Sequence, residues 1–406
     1  MRHFGPISGI ATFKDTYVAT AGYDNQVILW DARTRTPIQR VLHDHLANQC
    51  AFNAAGTLLV SASSDYTARV WEVPSLRLKT VLIGHDDDIE MAAFSPDGQT
   101  IATCSRDHSI RLFNLSGQTL RILHGHTADV ISVCWSADGQ TLVSSSDDGS
   151  IRRWDANTGQ QLETIDLGGV ETDTVALSRE GIIFAGDDEG KISIISPRGT
   201  LLQPAHSAGI KRIIWDDSQR LLISLSYDRS VMLWHLKQDG TLVKTAETSL
   251  PSIIWPRSCA LLGSHRIAFV TFGSRYATWD FATQTWDLSG IEPAVSLNAV
   301  AVVGRRLQHR RRRHPAHQRP TQHQGRQPVQ LPPALWRQCV DRRPDGHGVR
   351  RPHRRHPVPA PLAPELRHHL HQGRCLARSY RHLHRRSADL LPGPAAAALR
   401  HPGAHA

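Results

Sequence analysis

Residues 126–165 read HTADVISVCWSADGQTLVSSSDDGSIRRWDANTGQQLETI. Four short runs alternate apolar with polar residues, and three turns divide them: Ala137-Asp138-Gly139, Asp147-Asp148-Gly149 and Asn157-Thr158-Gly159. Period-two alternation marks half-buried strands, and short Gly-containing turns join strands as hairpins. The stretch predicts a four-stranded antiparallel meander. Outward from it the pattern recurs. The residue closing the third strand of each unit falls at Trp30, Trp71, Phe113, Trp154, Ile194, Trp234 and Trp279, at intervals of 41, 42, 41, 40, 40 and 45.

A recurring unit of roughly 40–45 residues built as a meander is the period of a β-propeller blade. The residues that sharpen this are Gly84-His85 and Gly125-His126, the turns Ser95-Pro96-Asp97-Gly98 and Ser136-Ala137-Asp138-Gly139, and Trp-Asp at 30–31, 154–155 and 279–280. On these the first 290 residues or so resemble the WD40-repeat family. The resemblance implies an all-β propeller of about seven four-stranded blades in a closed ring. The repeats around Asp188 and Gly273 are degenerate.

Four repeats place a His 22 residues before an Asp: His43 and Asp65, His85 and Asp107, His126 and Asp148, His206 and Asp228. A Ser or Thr stands four residues before each Asp (Ser61, Thr103, Ser144, Ser224) and an aromatic six after it. Ser, His and Asp together once would suggest a hydrolase triad. Their recurrence answers instead a structural need common to every blade. The expected arrangement is a buried relay in which Asp accepts from the imidazole, the other ring nitrogen meets the hydroxyl, and the hydroxyl meets the Trp N–H. This resembles the family's Asp-His-Ser/Thr-Trp tetrad. It is complete as His43, Ser61, Asp65 and Trp71, as His126, Ser144, Asp148 and Trp154, and as His206, Ser224, Asp228 and Trp234, with His3, Thr20, Asp24 and Trp30 as a fourth set. The third blade has Phe113, without an N–H; the fifth keeps only Asp188 and the seventh only Trp279. Those two blades are expected to be the least stable, and a ring with no strand exchanged between first and last blades to be weakly closed.

With strand faces buried between blades, binding falls to the loops and the channel mouth. In resembling proteins the residue before the tetrad Asp points to the top face, and here that series is Tyr23, Ser64, Arg106, Asp147, Asp187, Tyr227 and Phe272. Once the ring closes, Tyr227, Phe272 and Tyr23 form an aromatic arc with Trp255 beside it. Opposite, Asp88, Glu90, Asp129 and Glu171 join Asp147 and Asp187 in an acidic arc. Such a face suits a protein or peptide with an apolar anchor on one side and Lys or Arg on the other.

Composition excludes other classes and divides the chain. Of 406 residues, 47 are Lys or Arg and 37 Asp or Glu. Residues 304–406 hold 22 Arg, no Lys, four acids, 14 of the 24 His and 14 of the 23 Pro, a formal charge of +18, which leaves 1–303 at −8. A propeller domain over 1–303 and a low-complexity basic tail over 304–406 are therefore expected, since the tail lacks the residues for a packed core. No apolar run approaches the length of a membrane span, and the opening Met-Arg-His-Phe-Gly-Pro has no signal-peptide core. A cytoplasmic, membrane-free protein is expected. No phosphate loop and no isolated metal-ligand spacing occur, so no catalysis, cofactor or metal is expected. Cys50, Cys104, Cys134 and Cys259 read as buried free thiols.

The tail has two readings. As a genuine disordered arm, its Arg would bind nucleic acid or another polyanion. As an out-of-frame translation, it would show the Arg, Pro, His and Ala that GC-rich codons yield, and the absence of Lys favours this. Read from the second base, residues 341–355, DRRPDGHGVRRPHRR, permit T-G-G-Q-M-G-T-V-F-D-A-H-T-G-D, the form of a third blade strand and its turn. The expected function is a non-catalytic interaction scaffold, with polyanion binding as the alternative should the arm be genuine.

Overall fold

The computed structural model describes residues 1–293 and the backbone of one further strand pair, Leu297–Val303 with Arg306–Arg311. The readings of the remaining tail fall outside the described residues. Seven four-stranded antiparallel sheets follow one another along the chain. Blade one is β1 (Ile7–Phe13), β2 (Tyr17–Gly22), β3 (Gln26–Asp31) and β4 (Pro37–Leu42); blade two is β5 (Ala47–Phe52), β6 (Leu58–Ser63), β7 (Ala68–Glu72) and β8 (Arg77–Leu82). Blade three is β9 (Ile89–Phe94), β10 (Thr100–Ser105), β11 (Ser109–Asn114) and β12 (Thr119–His124); blade four is β13 (Val130–Trp135), β14 (Thr141–Ser146), β15 (Ser150–Asp155) and β16 (Gln161–Asp166). Blade five is β17 (Thr172–Leu177), β18 (Ile183–Asp187), β19 (Lys191–Ser196) and β20 (Gly199–Pro204); blade six is β21 (Ile210–Asp216), β22 (Leu221–Ser226), β23 (Ser230–Leu236) and β24 (Leu242–Ser249). Blade seven is β25 (Ile254–Leu262), β26 (Arg266–Thr271), β27 (Ala277–Asp280) and the short β28 (Thr285–Asp287).

Burial follows strand position rather than simple alternation. The second strand of each blade lies between two neighbouring sheets, so both of its faces are covered; in β14 every residue after Thr141 is buried, Ser144, Ser145 and Ser146 included. The fourth strand is the outer edge, and β16 is exposed at every residue except Ile165. Apolar packing is accordingly divided into seven layers, one for each pair of adjacent blades. The layer between blades three and four, for example, joins Leu112 and Leu123 to Val133, Leu142 and Trp154.

The seam between blades seven and one is packed like the others, with Ile7, Ile28 and Trp30 against Leu262, Val270 and Tyr276. Polar ties cross it as well. His3 N donates to Ser274 O at 3.0 Å, Thr12 Oγ1 to Leu261 O at 2.5 Å, and Arg35 to Tyr276 O at 2.7 Å, with a 2.6 Å ion pair to Asp287. Each blade is built from its own four consecutive strands, so the closure rests on this packing and these hydrogen bonds and not on a shared strand.

Blade five departs from the sequence reading by one residue. Ile195, not Ile194, packs in the layer between blades four and five, beside Val143 and Ile151; Ile194 faces blade six. The turn is displaced with it. In blade four Asp147 N donates to Asp129 O, and Asp148 N to Ser146 Oγ. In blade five the corresponding bonds run from Asp188 N to Glu171 O and from Glu189 N to Asp187 Oδ1. Asp188 therefore holds the top-face position, and Asp187 takes the place of the turn serine.

Candidate interaction surface

The relays occupy the blades that carry their residues. In blade two His43 Nδ1 lies 2.9 Å from Asp65 Oδ2, its Nε2 2.7 Å from Ser61 Oγ, and Trp71 Nε1 donates to Ser61 Oγ at 2.8 Å. Blade four has 2.9, 2.8 and 2.9 Å for His126 with Asp148, His126 with Ser144 and Trp154 with Ser144. Blade six repeats this with 3.1, 2.8 and 2.9 Å for His206 with Asp228, His206 with Ser224 and Trp234 with Ser224, and blade one with 2.9, 2.8 and 2.8 Å on His3, Asp24, Thr20 and Trp30. A neutral imidazole satisfies all four groups: Nδ1–H donates to the carboxylate, and Nε2 accepts from a hydroxyl that accepts in turn from the indole. In blade three the relay ends at Thr103, 2.7 Å from His85 Nε2. Blade seven keeps Trp279 but has Phe269 where blade four has the relay hydroxyl Ser144, and the buried Trp279 Nε1 has no hydrogen-bond partner among the described residues.

The relays hold the loops from which the face is built. The carboxylates also accept from the loop backbone, as Asp148 does from Thr127 N at 3.1 Å and Asp228 from Ser207 N at 3.0 Å. This fixes the start of each innermost strand and, with it, the residues that open onto the face.

On the aromatic side, Tyr23 meets Trp255 edge-on at 5.2 Å and Trp255 stacks on Phe272 at 5.5 Å. The Arg257 guanidinium lies over both Tyr23 (5.8 Å) and Trp255 (5.4 Å). Tyr227 is exposed and carries the Lys211 ammonium 4.9 Å from its ring centre. The arc is thus an aromatic surface overlaid by two cations rather than a bare apolar one.

Much of the acidic side is already neutralised. Arg106 pairs with Glu90 at 2.6 Å and reaches Asp129 at 3.7 Å; Glu90 is buried and also meets Arg257 at 3.5 Å, so it is not presented to a partner. Asp88 accepts from Ser64 Oγ at 2.9 Å. Asp187 is buried, its carboxylate bonded to Glu189 N and Lys191 N of its own turn. Lys211 ties Asp173 to Asp188, at 2.6 Å from the latter. Asp147 and Glu171 have no ion pair among the described residues. Burial, followed by Asp173, Glu171 and Asp129, pushes the Asp147 carboxyl up to about 7.

Lys211, Asp173 and Arg257 were not picked out from the sequence. For Lys211 the signal was present: it stands five residues beyond His206, as Glu90 stands five beyond His85. Asp173 was hidden by the displaced register of blade five. Arg257 lies in a repeat with no His from which to count.

Sequence comparison adds to this geometry. The WD domain, G-beta repeat family is matched at residues 36–72, 76–114, 117–155 and 195–235, each match ending one residue beyond Trp71, Phe113, Trp154 or Trp234. Those are the third strands of blades two, three, four and six, in a ring of seven four-stranded blades. The chain is a WD40-repeat propeller. Similar proteins include the nuclear distribution protein nudF of Aspergillus niger, 29% identical over 252 residues, covering 60% of this chain and 52% of that protein. A guanine nucleotide-binding protein subunit beta of Solanum tuberosum is 32% identical over 118 residues, 27% of this chain and 31% of the relative. Human coronin-7 is 32% identical over 110 residues, 25% of this chain and 12% of the relative. The chain thus spans about half the length, or less, of these relatives. Among the described residues no helix is long and apolar enough to cross a membrane, and no group of three or more His, Cys, Asp or Glu is placed to hold a metal ion.

Proposed function

We propose that this WD40 propeller is a non-catalytic scaffold that holds a partner protein or peptide on its top face. A Lys or Arg of the partner sits at Asp147, between Glu171 and Asp129, and an apolar or aromatic residue rests on the arc of Tyr23, Trp255 and Phe272. The observation that carries this reading is the uncompensated Asp147. Arg106 and Lys211 neutralise the flanks of the acidic arc and leave its middle without a cation, so an arriving guanidinium or ammonium meets a carboxylate that burial and its neighbours have kept partly protonated. Binding there ionises Asp147 and releases a proton, so affinity rises with pH through about 7.

Against catalysis stands the burial of the relay hydroxyls. Thr20, Ser61, Thr103, Ser144 and Ser224 are all fully buried, so no substrate reaches a Ser-His-Asp set.

The test is selection of a displayed random-peptide library on the full chain at pH 8. Peptides combining Lys or Arg with an aromatic residue are expected. Asp147→Lys should abolish their binding, Phe272→Ala should weaken it, and Asp147→Asn should remove its rise with pH. Unchanged binding and unchanged salt dependence in Asp147→Lys would refute the assignment.

A further inference from the structure

On the face opposite the aromatic arc, where β21 ends at Asp216, a cavity of about 670 Å³ leads into the channel enclosed by the seven inner strands. Arg212 lies at its inner end. The side chain comes from blade six and reaches Met91 of blade three across the channel, its Nη1 3.9 Å from the thioether sulfur. That long contact is its only side-chain bond among the described residues, and its Nε is buried without a partner. No carboxylate pairs with it. The ionisable groups around it are Cys259, Cys50 and Cys134, whose thiols burial pushes up to about 12 and which are therefore uncharged. Arg212 is half-buried, with its Nε enclosed and the side chain lining the cavity, and arginine keeps its proton in such a setting, so a cation without a carboxylate faces the cavity. Half-buried arginines elsewhere in the propeller have oxygen partners, as Arg69 has the Asp65 carboxylate at 3.0 Å and Arg229 the carbonyls of Leu250 and Pro251 at 3.2 and 2.8 Å.

The cavity also restricts what could supply the missing anion. Its size falls within the few hundred to about 1,000 Å³ of small-molecule sites. Its inner walls include Ala51, Ile214, Ala260 and Leu261, which favour an apolar body. At the rim Arg179 and Arg220 are matched by Asp217 (3.7 Å) and Glu180 (2.7 Å), which leaves the Asp216 carboxylate without a cation. A single guanidinium behind an acidic rim suits one negative charge and disfavours a phosphate dianion.

We propose that this cavity binds a small amphipathic monocarboxylate, its carboxylate on the Arg212 guanidinium and its apolar body against Ala51, Ile214, Ala260 and Leu261. The site opens away from the peptide face and does not depend on that reading.

The test titrates the full chain with octanoate, followed by calorimetry and by the fluorescence of Trp215, which lines the cavity. Saturable binding at one octanoate per chain is expected, with n-octanol and octylammonium at least tenfold weaker. Arg212→Met, which keeps much of the volume and removes the charge, should weaken octanoate at least tenfold. Ala260→Leu, which narrows the cavity and leaves the cation in place, should also weaken it, and this keeps the test decisive if Arg212→Met does not fold. No saturable octanoate binding at millimolar concentration, equal binding of octanol, or undiminished binding by either folded variant would overturn the proposal.

Discussion

Two buried tryptophans in equivalent positions differ in one hydrogen bond, and substituting each with Phe isolates it. Trp154 is 1% exposed and donates to Ser144 Oγ at 2.9 Å; Trp279 is fully buried and its Nε1 has no partner among the described residues. Either change to Phe removes similar apolar volume, so the packing loss is largely common to the pair. Trp154→Phe also loses a bond with a net worth of about 1 kcal/mol. Trp279→Phe instead removes an unsatisfied buried donor, which relieves a cost of about 1–3 kcal/mol. The expected difference is about 2–4 kcal/mol, with Trp154→Phe the more destabilising, or roughly 3–7 °C in Tm for a domain of this size. Because a ring of blades need not unfold in one step, amide hydrogen exchange in β14 and β15 against β26 and β27 should accompany the melting curves. An equal or larger loss for Trp279→Phe would refute the reasoning, because it would show that the blade-seven indole is satisfied.

The relays predict a particular acid sensitivity. Burial opposes charge on Asp148, but bonds from Ser150 and His126 outweigh it and hold the carboxyl down to about 2; burial lowers His126 and His206. In blade six, where Asp228 is lowered like Asp148 and no raised carboxyl among the described residues opposes, both signs make the unfolded chain bind more protons, so stability should fall first below the unfolded His value of about 6.5 and again from the unfolded Asp value of about 3.9 downward. In blade four the raised Asp147 carboxyl works against the first fall. Exchange protection in β22 that stays constant from pH 7 to pH 3 would contradict this. Lys211→Met should leave Asp173 and Asp188 without their cation at the seam of blades five and six, at a cost of about 2–4 kcal/mol; exchange in β17 and β21 should rise, and an unchanged rate would show that the clamp carries no load. For residues 304–406, the out-of-frame reading predicts that nucleotide sequence from codon 290 onward resumes Gly-Asp and Thr-Gly repeat spacing in another frame. Stops in both other frames would establish the Arg-rich arm as genuine.

The blade count, the strand order within a blade and the four complete relay sets could be read from the sequence because each rests on residues with little chemical substitute. A hydroxyl able to donate to an imidazole while accepting from an indole has to be Ser or Thr at that spacing, and Gly or Asn marks many of the turns. The face was harder. Its residues sit on loops, where charge is tolerated almost anywhere, and whether a carboxylate is available depends on which cation reaches it across a blade boundary. Glu90 looks like a ligand in the sequence, yet it is spent on Arg106 and Arg257, the latter 167 residues away.

Blade five shows where spacing runs out and what could have replaced it. Both of its register markers are doublets, Asp187-Asp188 at the turn and Ile194-Ile195 on the third strand, so a count accurate to one residue selects neither member. Packing selects them, through the pairing of Ile183 with Ile195 and the contact of Ile195 with blade four. The turn itself held a firmer marker. Gly149 and Gly190 have φ of 76° and 82°, and a Cβ would lie 2.5 Å from Gly169 Cα at the first and 2.3 Å from His206 O at the second. Other blades fill this position with Asn25, Tyr66, His108 or Arg229 at similar positive φ, a strained choice for a side chain. Gly190 has no such latitude, because its neighbour is a backbone carbonyl. Counting 41 residues from Gly149 to Gly190, instead of 40 from Asp148 to Asp188, puts Glu189 at the relay position and Asp188 on the face, where Lys211 holds it.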